Sequence, residues 1–467
     1  MSNGFGFSFN SGPNDPNNNG DGNGDDGRNQ NPFGAFGFGG GSGNLGDILN
    51  QFGQMISGVG NTVNNTDPDS AVNYELAARI ARQQIGKQAR VQAGEQSAVE
   101  ESVRLVELWL DDVTTLPGVG GKVAAWNSED WLEQTLPAWK RMVTPVARNM
   151  SSAQLDAMPA EAREMMGPMS QILTQMSGMN FGMQLGHALG DLASQALTGC
   201  DFGLPVAPSN TIGILPGNAS KAAQELGSPK QEVLVYIAAR EAARQRLFKH
   251  VPWLVERLVS SVEEYAAGLV IDTSHIEEAT RELNLESGDP QAIQEALGRL
   301  QGMDLSPRIT SRNGAAVSRL ETLLALVEGW AEFVVDEALG QRIPTASKLT
   351  EAWRRRRATG GSAEKAFSAV VGIEFAAPKV ADAFELWRRT TVAVGPERRD
   401  KVWEHPDLLP NAQDLDSPAA FIDGLLDDAP DTNFDEEMAK LEEMVRHDEE
   451  NPKERGTDDG SEDGTEY

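Results

Sequence analysis

The chain has 467 residues, which is enough for one large domain or two medium ones around a substantial buried core. Its formal net charge of −30 argues against nonspecific binding to nucleic acid or anionic membranes, and it contains no apolar run of the roughly 18 residues that a membrane-spanning helix needs. The single cysteine, Cys200, excludes an internal disulfide, and the N-terminal residues lack a secretory pattern, so we expect a cytoplasmic protein.

The two ends differ in composition from the middle of the chain. Residues 1–66 are rich in Gly, Asn, Asp and Phe, and residues 427–467 contain 17 acidic and 4 basic side chains. Neither segment can bury enough apolar surface to offset the entropy of ordering, so both are predicted to be disordered. Such segments suit contacts with a protein or peptide partner. Residues 67–426 between them are predicted to form one mainly α-helical domain, and the oligomeric state stays open.

Apolar residues at three-and-four spacing predict helices along most of this domain. Pro137 and Pro145 are expected to interrupt the third of these helices. The predicted helices are Ala71–Gln84, Ser97–Val113, Trp126–Arg148, Ile276–Leu283, Pro290–Leu300, Ala315–Leu339 and Val380–Thr390.

Glycines at positions 178, 182, 186 and 190 recur every fourth residue in one further helix. This spacing leaves one face bare, so we expect another backbone to approach it closely. The chain then changes character in residues 202–219, where Pro, Gly and β-branched residues predict a short strand at Thr211–Leu215. No other region of the sequence predicts a sheet.

The domain is organised around residues 233–258, VLVYIAAREAARQRLFKHVPWLVERL. The pattern predicts a long helix, a break at Lys249–Val251 and a second helix that starts at Pro252. One stripe of the first helix carries apolar and charged residues together: Val233, Ile237, Arg240, Glu241, Arg244 and Phe248. Charged groups on an apolar face need partners.

The three charges stand in the register of a zinc-peptidase helix. In the H-E-x-x-H motif, two histidines four residues apart bind zinc, and the intervening glutamate activates a metal-bound water. This chain has R-E-A-A-R in that frame.

Several further segments extend the likeness from about Asn73 to Phe421: AAREAARQRLFKHVPWL, LLALVEGWAEFVVDEAL, RRRRATGGSAEKAF, LWRR and VWEHPDLLPNAQDL. Together they make the chain similar to an actinobacterial zincin-like family of zinc-dependent metalloproteases and hydrolases, one branch of which is named for an association with deazaflavin cofactor biosynthesis. The resemblance implies a zincin-like helical domain with a small sheet beside the active-site helix.

The resemblance also assigns roles to four residues. Glu241 matches the general base and Glu328 the third metal ligand, while Arg240 and Arg244 occupy the two histidine positions. A guanidinium has no lone pair to give a metal, so neither arginine can bind zinc. We therefore expect no metal at this site and no cofactor.

The sequence leaves three alternatives for these charges. Arg240 and Arg244 pair with Glu241 and Glu328 in a buried network, or they extend to solvent at the edge of the stripe. In the third alternative the protein is an active metallopeptidase that uses Glu241 as base and replaces the lost ligands with His187, His250 or His275. His250 either faces this pocket or packs at the helix end, and His187 is expected to be a hydrogen-bonded core histidine.

The run Arg354–Arg357 is the other conspicuous charge cluster. It is predicted to lie at a helix C-terminus and to bond the last carbonyl groups there, with nucleic-acid contact as the alternative. Taken together, the sequence predicts a zincin-like protein that has lost its zinc-binding histidines and acts as a noncatalytic binding or scaffold protein. The alternative is an active zinc metallopeptidase.

Overall fold

We describe a computed structural model of the chain over residues 71–156, 170–272, 308–359, 365–366, 368, 370 and 379–427. The predicted head (residues 1–66) and nearly all of the predicted tail (residues 428–467) lie outside these residues. So do the predicted helices at Ile276–Leu283 and Pro290–Leu300.

The mainly α-helical class predicted from the sequence is confirmed. The described residues contain twelve α-helices and four short strands. The helices are α1 Tyr74–Ile85, α2 Ala93–Asp111, α3 Ser128–Asp156, α4 Ser170–Gln195, α5 Pro216–Leu226, α6 Lys230–His250, α7 Pro252–Ala267, α8 Gly314–Leu339, α9 Ala346–Thr359, α10 Val380–Lys401, α11 Ala412–Asp416 and α12 Ala419–Asp427. None of these helices combines the length and the hydropathy required to span a membrane.

The strand predicted at Thr211–Leu215 is confirmed as β2, Thr211–Ile214. It pairs in parallel with β1, Lys122–Ala125, and so forms a small sheet that packs against α6. The prediction that no other region forms a sheet is wrong. Besides β1, an antiparallel pair joins β3, Leu269–Asp272, to β4, Arg308–Ser311. The missed strands β1, β3 and β4 form by pairing with segments that are distant in the sequence, which a local pattern does not reveal.

The glycine spine of α4 has the predicted role of admitting a second backbone, which is that of α1. A Cβ at Gly182 would lie 2.5 Å from the carbonyl oxygen of Asn73, and one at Gly186 would lie 2.7 Å from that of Ala77. Real Cβ atoms do not come so close to carbonyl oxygens, so the two helices can pack in this way only with glycine at these positions.

The predicted interruption at Pro137 and Pro145 is wrong, because α3 continues through both residues. Each proline removes one helical hydrogen bond. The intervening helix buries Trp139, Met142 and Val143 against the core. Burial of these side chains offsets the lost hydrogen bonds, so packing decides the conformation here.

The two central helices are α6 and α8. The break predicted at Lys249–Val251 is shorter in the structure: α6 continues through Lys249 and His250, Val251 alone separates the two helices, and Pro252 begins α7 as predicted. Residues 233–247 of α6 are all buried. The helix is therefore enclosed on every side, whereas the sequence predicted a single buried stripe. Helix α8 is buried over most of its length and crosses α6 beside the charged residues.

Candidate functional site

The charged residues of the R-E-A-A-R segment lie in the interior of the protein. Arg240, Glu241 and Arg244 are 2%, 0% and 1% exposed. Helix α6 tolerates these charges because other elements supply a partner for each. The alternative in which the two arginines extend to solvent therefore does not occur.

Glu328 of α8 is the partner of both arginines. Arg244 donates from Nε to Oε1 at 2.5 Å and from Nη2 to Oε2 at 3.0 Å, and Arg240 donates from Nη2 to Oε2 at 3.1 Å. The contact of Arg244 is bidentate, the geometry in which guanidinium and carboxylate bind each other best. Both oxygens of Glu328 are thus occupied by guanidinium groups.

These contacts determine the protonation state of Glu328. Burial opposes the charged form and would raise the pKa of this carboxyl, but Arg244, Arg240 and Arg357 outweigh burial and lower the pKa to about 2. The carboxylate is consequently ionised at neutral pH. Burial alone would lower the pKa of the Arg244 guanidinium, but contact with Glu328 outweighs burial and raises it.

A second buried carboxylate, Glu332, extends the network one turn further along α8. It accepts from Arg354 Nε at 2.7 Å and from Arg357 Nη1 at 2.9 Å, and its Oε2 lies 3.9 Å from Arg240 Nη1. Burial raises the pKa of Glu332, but the charges of Arg357 and Arg240 prevail and lower it. Sequence reasoning did not find Glu332, although its position four residues after Glu328 places both on one helix face.

The run Arg354–Arg357 on α9 binds carboxylates of the same molecule. Arg354 and Arg357 bind Glu332, while Arg356 Nη2 donates to Asp201 at 2.7 Å and to the Gln195 carbonyl at 3.0 Å. The sequence predicted that these side chains bond the last carbonyl groups of α9. This prediction is wrong, because Arg354, Arg356 and Arg357 bind groups on other elements. The run connects α9 with α8 and with the loop after α4.

The predicted pairing of Glu241 with Arg240 and Arg244 does not form. Its carboxylate accepts from the Cys200 backbone N–H at 3.1 Å and from Gln245 Nε2 at 3.1 Å, and neither arginine hydrogen-bonds to it. Burial raises the pKa of Glu241, and this effect exceeds the opposing influence of Arg244, Thr198, Gln245 and the Cys200 amide. Gln245, four residues after Glu241, is a site neighbour that sequence reasoning missed.

The loop between α4 and β2 packs directly on both glutamates. A Cβ at Gly199 would lie 3.1 Å from Oε1 of Glu241, and one at Gly203 would lie 2.9 Å from Cγ of Glu328. Gly203 also has φ +74°, a conformation that favours glycine. The loop therefore closes over the two carboxylates more tightly than a chain with larger residues could.

The histidines do not gather at this site in the described residues. His250 is the last residue of α6, and its Nε2 is buried without a hydrogen-bond partner there. His187 is exposed and hydrogen-bonds Gln84, so its prediction as a core histidine is wrong. His405 is exposed on the surface, while His275 falls outside the described residues. Within those residues no three His, Cys, Asp or Glu side chains are placed to hold a metal ion.

The side chains at this site do not fit a zinc ion. Arg240 and Arg244 offer only N–H donors, and both carboxylate oxygens of Glu328 already accept from them. A dication would also lie beside two fixed positive charges. Zinc binding would require both guanidinium groups to leave the carboxylate that stabilises them in the interior.

Comparison with known proteins gave two matches relevant to this geometry. Residues 72–422 match the sequence model of a family described as zincin-like metallopeptidase. The fold is similar to a crystal structure of a "putative hydrolase with a novel fold" from Chloroflexus aurantiacus, with a TM-score of 0.52 and 17% sequence identity over 77% of this chain and 100% of that one. At this identity the structural match establishes a shared fold. No curated protein matches the sequence.

Proposed function

This chain belongs to the zincin-like metallopeptidase family, and we propose that it is a noncatalytic member that binds polypeptide. In this proposal R-E-A-A-R is a degenerate form of H-E-x-x-H, with Arg240 and Arg244 at the two former zinc-ligand positions. Glu241 then stands at the position of the general base, and Glu328 at that of the third ligand. Actinobacterial origin stays a prediction from the sequence.

The observation that carries the proposal is the closure of both arginines on Glu328. Their guanidinium groups occupy the two oxygens that a metal would need, and all three side chains are buried. Fixed positive charge at this point supplies part of what a dication would supply, namely a counterion for Glu328 between α6 and α8.

The surroundings of Glu241 support the same conclusion. A general base must reach a water or a substrate atom at hydrogen-bond distance. The carboxylate of Glu241 is 0% exposed and accepts from Cys200 and Gln245 within the protein. In this arrangement the side chain acts as a structural acceptor for the loop between α4 and β2.

In this proposal, the protein keeps the polypeptide-binding surface of a peptidase after the loss of its chemistry. The low-complexity head and the acidic tail suit contacts with a protein partner. Arg354, Arg356 and Arg357 are engaged by Glu332 and Asp201, which leaves this run poorly suited to nucleic acid. We propose that the protein acts in the cytoplasm.

Metal analysis and a hydrolysis assay on the full-length protein test the loss of catalysis. We expect substoichiometric zinc after purification in zinc-supplemented buffer, and no cleavage of casein with or without added zinc. EDTA should leave the melting temperature unchanged. One zinc per chain together with casein cleavage would contradict the proposal.

An active metallopeptidase with relocated ligands is the second candidate, favoured by the family membership and by the presence of Glu241 and Glu328. The two candidates differ in the effect of Glu241→Gln. An active enzyme would lose cleavage in this variant and keep its zinc. In the noncatalytic protein, the same change alters stability alone.

The binding role has its own test. Fluorescently labelled, unfolded casein fragments are titrated with the full-length protein, and anisotropy is followed while gel analysis monitors fragment length. We expect saturable binding without shortening of the fragments. Failure to bind would leave a noncatalytic protein without the proposed polypeptide ligand and would refute this part of the proposal.

A further inference from the structure

Three buried guanidinium nitrogen atoms of the arginine pair make no hydrogen bond of normal geometry among the described residues. They are Nε and Nη1 of Arg240 and Nη1 of Arg244, and together they carry five N–H groups. Both side chains are only 2% exposed. A charged donor that is buried without an acceptor is unfavourable, so such donors mark a place where a further acceptor is missing.

The charges around Arg240 and Arg244 also indicate a missing anionic partner. The two guanidinium groups hydrogen-bond to a single carboxylate, that of Glu328. Glu241 is turned towards Cys200 and Gln245. Glu332 lies 3.9 Å from Arg240, beyond hydrogen-bond distance, and binds two arginines of α9. We refer to Arg240, Arg244 and Glu328 as the Arg240–Arg244 site; these three residues carry two positive charges and one negative charge. Glu241 lies next to Arg244, but burial raises the pKa of its carboxyl, which makes it a weak counterion.

We propose that the Arg240–Arg244 site binds one carboxylate group of a ligand. A carboxylate has the planar pair of oxygens that matches a guanidinium edge, and its single negative charge balances the site. A metal cation would add to the excess positive charge, and a neutral amide would leave it uncompensated. The carboxylate would come from a bound peptide, either from an acidic side chain or from the C-terminus. This part of the inference rests on the proposed function.

The network also offers a charged approach from the surface. Arg354 is 45% exposed and Arg357 is 18% exposed, and both reach inward to Glu332, next to Arg240. Positive charge at the rim attracts anions and raises the rate at which they arrive. In the proposed binding mode, the carboxylate approaches from the side of α9 and replaces the 3.9 Å contact between Arg240 and Glu332.

The first experiment uses the full-length protein and acetate. Acetate replaces chloride at constant ionic strength, and the Nε–H resonances of arginine are followed by NMR together with the melting temperature. We expect a saturable shift of the Arg240 resonance and a rise in melting temperature. If acetate and chloride give the same non-saturating response, the site takes no carboxylate and the inference is wrong.

The second experiment identifies the source of the carboxylate. One peptide without acidic side chains is compared with its C-terminally amidated form, and a third, amidated peptide carries one internal aspartate. A terminal carboxylate as ligand predicts that amidation weakens binding about ten-fold, whereas a side-chain ligand predicts that only the aspartate peptide binds. Saturable acetate binding without binding of any peptide would support the carboxylate site and contradict the proposed polypeptide ligand. The experiment therefore distinguishes failure of the site from failure of the proposed function.

Arg240→Lys provides the variant for both experiments. It keeps one positive charge but removes the unpaired Nε–H and Nη1–H groups, so acetate affinity should fall about ten-fold. Arg355→Gln changes an exposed arginine that pairs with Glu351, and should leave acetate affinity unchanged. Equal affinity in wild type and Arg240→Lys would overturn the inference. If Arg240→Lys does not fold, the wild-type titration decides it alone.

Discussion

Arg244 and Glu328 meet side-on, with Nε 2.5 Å from Oε1 and Nη2 3.0 Å from Oε2. The two residues lie on α6 and α8, so this contact joins the two central helices in the interior. A buried ion pair need not stabilise a protein relative to apolar residues of the same shape. Removal of one partner nevertheless leaves the other charge buried and uncompensated.

Arg244→Ala is therefore expected to lower the free energy of unfolding by about 3–5 kcal/mol. Urea denaturation followed by circular dichroism measures this quantity. Arg355→Ala is the control, because Arg355 and Glu351 form an exposed pair on α9 whose removal should cost about 0.5 kcal/mol or less. Comparable losses in the two variants would show that Arg244 contributes no more than a surface arginine.

The helical architecture could be predicted because its signals are local. The break before Pro252 and the glycine spine of α4 both follow from residue types at fixed spacing, and the structure confirms both. The continuity of α3 through Pro137 could not be predicted in this way. It depends on burial of Trp139 against elements that are distant in the sequence.

In the site too, local features could be predicted from the sequence and tertiary contacts could not. The position of Arg240 and Arg244 among apolar residues predicts that they need partners, and the likeness to a zinc peptidase identified Glu328. The involvement of Glu332 with Arg354 and Arg357 could not be read from the sequence, because charges on one helix do not specify which distant helix supplies their partners. The orientation of Glu241 towards Cys200 likewise depends on a loop whose path is a tertiary property.

Histidines at positions 240 and 244 should create a metal-binding site. In Arg240→His combined with Arg244→His, two histidines four residues apart would face Glu328, the donor set that zinc accepts from proteins. We expect about one zinc per chain by elemental analysis and a melting temperature that falls on addition of EDTA. The matched control replaces both arginines with glutamine, which removes the same charges without supplying nitrogen ligands; it should bind no zinc. Zinc-free protein from both double variants would argue that the site geometry differs from that of a metal site.

Acid should destabilise the protein through Glu328. The pKa of this carboxyl is about 2 in the folded chain, against 4.5 for an unperturbed glutamate. Its contribution to stability is therefore complete above about pH 4.5 and is lost as the pH falls towards 2, with about 2 kcal/mol lost between about pH 5 and pH 3. Glu241 acts in the opposite direction, because its pKa is raised and acid relieves the cost of its buried charge.

Urea unfolding of the wild type and of Glu328→Gln at several pH values between about 5 and 3 isolates this effect. We expect the variant to be less stable than the wild type at neutral pH, and its stability should decline less on acidification. Glu385→Gln is the control, because Glu385 pairs with arginines on the solvent-exposed surface of α10, where water screens the interaction. Parallel pH profiles for wild type and Glu328→Gln would show that Glu328 does not titrate as described.

Close packing of α1 on α4 should make Gly186 intolerant of any side chain. A Cβ there would lie 2.7 Å from the Ala77 carbonyl oxygen and 2.8 Å from the Cβ of Ile80, so the helices would have to separate. We expect Gly186→Ala to lower the free energy of unfolding by about 1–3 kcal/mol, despite the better helix propensity of alanine. Gly94→Ala in the first turn of α2 is the matched control, because its Cβ would meet no atom within 4 Å. That variant should be neutral or stabilised by up to about 1 kcal/mol, and equal stabilisation of both variants in urea denaturation would contradict the role of the glycine spine.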